Sequence, residues 1–112
     1  MSRIKTEEQI GGTIMHLKGQ FIGGEETDEL KSKLNEVAEL KKNKLVINLE
    51  DVTYLNSTAL GVLISAHSNF SKRDGEIILC NVSKSIENIF VITKLSLVFN
   101  IEDTLEDAVK KI

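Results

Sequence analysis

The chain contains no proline and no tryptophan, and it has a single cysteine among its 112 residues. One cysteine excludes an intrachain disulfide and any cysteine-rich metal site, and its use suits a reducing cytosolic setting. Aromatic residues make up only 4% of the chain. No apolar run approaches the roughly 18 residues of a membrane span, so membrane insertion is not expected. Positive charge is not in excess: the formal net charge is −3. A binder that holds nucleic acid by charge needs a basic surplus, so nucleic acid is not an expected partner. The polar stretch from Met1 to Glu8 does not resemble a secretory signal, and a cytoplasmic location is expected. Hydrophobic residues at 41% and charged residues at 28% give a globular balance. A chain of this length holds one core without staples, so residues 1–112 are expected to form a single domain.

The order of patterns along the chain points to alternating strands and helices. Ile4 to Gln9 has a weak strand pattern, and Thr13 to Leu17 reads as a second strand. Gly11-Gly12 between them predicts a hairpin turn with positive φ. Gly19 to Gly24 reads as a glycine-bearing loop. Thr27 is the expected cap of a first helix with Leu30, Leu34, Val37 and Leu40 on one face, and Lys41, Lys42 and Lys44 at its negative end. Leu45 to Leu49 reads as a buried central strand, followed by a connection from Glu50 to Asn56. A second helix is expected from near Ser57 to about Arg73, with Ala59, Leu63, Ala66 and Phe70 inward. Glu76 to Cys80 is a further strand. Ser83 or Ser85 opens a third helix, with Ile86, Ile89, Phe90 and Thr93 on its inner side. Val98 to Ile101 reads as an edge strand. Thr104, with Asp107 three residues on, opens a last helix that turns Leu105, Ala108, Val109 and Ile112 inward. The predicted order is ββαβαβα(β)α, an α/β fold with a mixed, mainly parallel sheet and helices packed on it.

Few residues offer chemistry. His16 and His67 have no second histidine or cysteine at ligand spacing, so no metal site is expected. Cys80 has no visible base partner and reads as a small buried hydrophobe. The glycine loop is neither GxGxxG nor a Walker loop, and Glu25, Glu26, Asp28 and Glu29 beside it would repel phosphate. No nucleophile–base pair can be assembled, so no catalytic residue and no cofactor are expected, and an enzyme ranks last. Asn56-Ser57-Thr58-Ala59-Leu60-Gly61 is different. It follows a buried strand and opens a helix, at the sheet edge where parallel-sheet proteins display function. Ser57 is either the helix cap or the first residue after an Asn56 cap.

The run from Leu45 to Leu63 resembles the signature of STAS domains, the domains shared by sulfate transporters and anti-sigma factor antagonists. Asp51, Thr53, Tyr54, Leu55, Ser57, Thr58, Leu60 and Gly61 match its pattern. Gly19, Asp74-Gly75-Glu76 and the C-terminal Leu95, Phe99, Ile101, Glu106 and Ala108 extend the likeness along nearly the whole chain. The bacterial anti-sigma factor antagonists are the most similar branch. The resemblance implies a protein that binds a serine-kinase anti-sigma factor and so frees a sigma factor. It implies phosphorylation of Ser57 by that kinase, which ends binding, and removal of the phosphate by a serine phosphatase. It also places a partner surface at Asn56, Ser57, Thr58, Leu60 and Gly61, with Phe21 and Ile22 of the glycine loop beside them. An alternative is a non-switching STAS adaptor subunit in a signalling or lipid-transport assembly, in which Ser57 is only a cap. Three positions depart from the family pattern. Asn56 stands for Asp, Ala59 for Gly, and Ile22 lies near a position often held by Asp.

Overall fold

The computed structural model describes residues 3–112. The strands are β1 (Ile4–Gln9), β2 (Gly12–Phe21), β3 (Lys44–Leu55), β4 (Glu76–Cys80) and β5 (Asn100–Glu102). The helices are α1 (Glu25–Ala38), α2 (Ser57–Lys72), α3 (Lys84–Ile92) and α4 (Leu105–Val109), with a 3₁₀ turn at Leu95–Leu97. The strands pair in chain order, β1 to β5. β1 runs antiparallel to β2, and the other pairs are parallel. The element order and the mixed sheet are those predicted from the sequence.

The two faces of the sheet differ. Leu45, Ile47 and Leu49 of β3 point to one face, where they meet Leu30 and Leu34 of α1, Leu63 and Phe70 of α2, and Phe90 of α3 in the main core. The opposite face carries a smaller cluster, in which α4 covers Ile14, Val46, Ile78 and Cys80 with Ala108. Burial there, with Glu50 adding a like charge, pushes the Cys80 thiol up to about 11. It stays neutral and unreactive near pH 7.

Several local expectations are corrected. The paired glycines of the hairpin do not adopt positive φ, which occurs among glycines only at Gly19 and Gly23. They are required by crowding instead: a Cβ on Gly11 would lie 2.3 Å from the Ile112 carbonyl, and one on Gly12 would lie 2.2 Å from Lys44 O. β2 continues to Phe21, so the loop shrinks to Ile22–Gly24. β3 is also longer than the apolar run and continues to Leu55. Its pairing with β2 slips twice, between His16 and Lys18 and between Gly19 and Gln20. Bulges of this kind break the two-residue alternation. They turn Val52 and Leu55 to the core at three-residue spacing, and that disguised this part of the strand as a connection.

α1 starts two residues before Thr27 and ends at Ala38, leaving Leu40 exposed in the following turn and no lysine in the last helical turn. Thr93 lies at the exposed C-terminus of α3, where its hydroxyl donates to Ile89 O at 2.7 Å. The edge strand begins at Asn100 because Leu95–Leu97 coils into a 3₁₀ turn and Phe99 is held in the core, stacked on Phe90 with ring centroids 6.0 Å apart. The caps at Ser83 and Thr104 form as expected, the latter accepting from Asp107 N at 3.1 Å.

Candidate functional site

The parallel pairing of β2 and β3 sets Phe21 opposite Leu55. Both strands end there, so the β2–α1 and β3–α2 loops emerge side by side at one sheet edge. Asn56 N donates to Phe21 O at 3.1 Å and ties them together. Asn56 is extended, with φ −91° and ψ −178°, and its Oδ1 accepts from Ala59 N at 3.0 Å. Asn56 is therefore the N-cap of α2. The first helical turn closes with Leu60 N donating to Asn56 O at 3.0 Å.

Capping by Asn56 releases Ser57. It is the first residue of α2 and is exposed, and its hydroxyl enters no hydrogen bond among the described residues. The opening amides of a helix have no carbonyl partner within it. Those of Ser57 and Thr58 give this corner a partial positive charge. Thr58 is exposed as well, but its side chain flanks the neighbouring loop, 3.4–3.6 Å from where a Cβ on Gly23 would sit. The other predicted contact residues divide. Ile22 is 51% exposed at the tip of the loop, and Gly61 faces open space on α2. Phe21, with no exposed surface, and Leu60, 9% exposed, belong to the main core. They anchor the two loops from below and present little or no side-chain surface at this edge. The reason is the bulged strand pair, which carries the main-core face up to Phe21 and Leu55.

Two of the three departures from the family pattern are accommodated locally. Asn56 supplies the cap that Asp would. Ala59 has no exposed surface, so its methyl packs into the core and reaches no partner. A groove of about 330 Å³ runs from Thr58 between α1 and α2, lined by Lys31, Leu34, Asn35, Gly61 and Val62 among others.

Two features were not among the predicted site residues. Tyr54, at the end of β3 opposite Gln20, is half-exposed near the site. Glu26, read from sequence only as one of the acidic residues that would repel phosphate, and Thr27, read as a helix cap, instead bind the β2–α1 loop. The Glu26 carboxylate accepts from Ile22 N at 2.8 Å, Gly24 N at 3.0 Å and the Thr27 hydroxyl at 2.7 Å. The hydroxyl and these amides hold its pKa down to about 2. A glycine pair followed, one residue on, by a carboxylate and a hydroxyl, as in Gly23-Gly24-Glu25-Glu26-Thr27, is the signal that could have revealed it. His16 is engaged elsewhere, in a chain from Glu7 through His16 to Asn48 and Asn81. No group of side chains suited to a metal ion occurs among the described residues.

A sequence profile of the STAS domain matches residues 3–108. The chain belongs to the STAS domain family. A protein of Listeria monocytogenes named anti-sigma-B factor antagonist is 32% identical over 87 residues, covering 74% of this STAS chain and 76% of its own length. An anti-sigma factor antagonist from Mycobacterium paratuberculosis has a crystal structure with a TM-score of 0.84 at 22% identity, covering 97% of this chain and 92% of that one. The Bacillus cell fate determinant SpoIIAA in its phosphorylated form gives a TM-score of 0.76 at 16% identity, covering 96% and 97%. At these identities the solved structures speak for the shared STAS fold. No helix among the described residues is long and apolar enough to cross a membrane.

Proposed function

We propose that this STAS domain, taken as the single unit 1–112, is an anti-sigma factor antagonist. It binds a serine-kinase anti-sigma factor through the edge formed by Ile22, Asn56, Ser57, Thr58 and Gly61, and so releases a sigma factor. Phosphorylation of Ser57 by that kinase switches binding off, and a serine phosphatase restores it. The named relatives support antagonism. The observation that carries the switch is the cap: Asn56 holds the helix, and the Ser57 hydroxyl stands exposed at its positive end. A phosphate there adds about −1.5 to −2 charges beside donor amides, so the fold tolerates it. A partner that had covered a neutral hydroxyl would have to bury that charge, and binding weakens. Thr58 is a poorer acceptor because its β-branched side chain is stiffer at χ1 and lies against Gly23.

The test is incubation with the cognate kinase and Mg-ATP, followed by site-resolved mass spectrometry. One phosphate on Ser57 is expected. Ser57→Ala keeps binding and takes up none. Ser57→Asp weakens binding only in part, since aspartate supplies about half the phosphate's charge. Kinase binding without phosphate uptake overturns the switch and leaves a non-switching adaptor. Phosphate on Thr58 overturns the residue assignment.

A further inference from the structure

We propose that Glu26 is a positioning residue of the docking surface: its carboxylate clasps the β2–α1 loop and holds Ile22 out toward the partner. Ile22, Gly23 and Gly24 are the three residues between β2 and α1. A loop this short at a sheet edge has no strand to satisfy its amides. Here two side chains from the first turn of α1 bind all three. Glu26 Oε2 accepts from Ile22 N and Gly24 N, at 2.8 and 3.0 Å. Thr27 Oγ1 accepts from Gly23 N at 2.9 Å and donates to the same Glu26 oxygen at 2.7 Å. Thr27 is 2% exposed, so this relay stands on a buried base. Gly24, the N-cap of α1, offers no side chain, and the helix instead reaches back to the loop with its second and third residues.

The clasp has a consequence on the far side of the loop. Gly23 at φ +89° lies against Thr58, next to Ser57. With the amides engaged by Glu26 and Thr27, the half-exposed Ile22 side chain is left at the tip. Bonds to an ionised acceptor are roughly twice as strong as neutral ones, so the carboxylate suits this task better than an amide would. A preorganised loop spares the partner the cost of ordering it. Glu26 thus acts on binding through Ile22 and touches no partner atom itself.

The proposal rests on the docking role argued above, and the test separates the two. Amide hydrogen exchange is measured by NMR on the free chain, as wild type, Glu26→Gln and Glu26→Ala. Ile22 and Gly24 amides are expected to exchange about tenfold faster in Glu26→Ala, the order expected for losing one charge-assisted hydrogen bond. Glu26→Gln, which keeps an acceptor oxygen, should recover part of the protection. Core amides such as Leu63 should not change. Unchanged exchange at Ile22 and Gly24 overturns the clasp, whatever the partner does. Affinity for the anti-sigma factor is then measured in a double-mutant cycle of Glu26→Ala with Ile22→Ala. Glu26→Ala should weaken wild-type binding several-fold and have little further effect once Ile22 is truncated. Additive losses overturn action through Ile22. Absence of binding by the wild type overturns the docking role itself, while the exchange result still decides the clasp.

Discussion

Replacing Asn56 and Ser57 separately by alanine decides which of them caps α2. Asn56 Oδ1 receives Ala59 N at 3.0 Å, whereas the Ser57 hydroxyl has no partner among the described residues. Loss of a capping side chain costs about 0.5–2 kcal/mol, centred near 1. Asn56→Ala should fall in that range, because Ala59 is itself fully buried and water replaces the lost acceptor poorly. Ser57→Ala removes an exposed hydroxyl and should stay within about 0.5 kcal/mol of wild type, as surface substitutions do. Urea denaturation resolves the two. With a slope of about 1–3 kcal/mol per molar, a loss of 1 kcal/mol moves the midpoint by about 0.3–1 M. Asn56→Asp keeps the acceptor and adds a negative charge at the helix N-terminus, which should stabilise by about 0.3–1 kcal/mol. A large loss for Ser57→Ala with none for Asn56→Ala would refute the reasoning. The serine hydroxyl would then be the cap, and it would not be available to a kinase.

Leu63 has no exposed surface in the main core, and Leu63→Ala should destabilise by about 2–5 kcal/mol. A denaturation shift under about 0.5 kcal/mol would place it at the surface. Ile22→Lys should leave the urea midpoint nearly unchanged and weaken capture of the anti-sigma factor, measured by titration calorimetry; undiminished affinity removes Ile22 from the surface. The Glu26 carboxyl, held at about 2 against an ordinary 4.5, favours the folded loop fully above pH 4.5, and that contribution fades as pH falls through 2. Its side-chain carboxyl carbon, followed by NMR, should titrate near pH 2 together with the Ile22 and Gly24 amides. A midpoint near 4.5 would show that the loop is not clasped.

Periodicity alone determined most of this protein's architecture. The helical stripe Ala59, Leu63, Ala66 and Phe70 and the apolar run Leu45 to Leu49 each bury one surface, and burial leaves a regular trace in the order of residues. The Asn56–Gly61 motif was equally legible, because a strand end followed by a helix start needs recognisable capping residues. What the order of residues left open was settled by neighbours distant along the chain. Two bulges against β2 carried β3 on to Leu55 and erased the alternation that marks a strand. The backbones of Ile112 and Lys44, not turn geometry, demanded Gly11 and Gly12. Phe21 and Leu60, apolar residues beside an exposed loop, looked like contacts until the sheet placed a core beneath them. Whether Asn56 or Ser57 capped α2, and whether Glu26 faced water or the Ile22 amide, depended on side-chain directions within a few ångströms. Sequence spacing sets which residues are near one another along a helix or strand. Only the packed tertiary structure decides which atom of each pair meets a donor and which is left to the solvent.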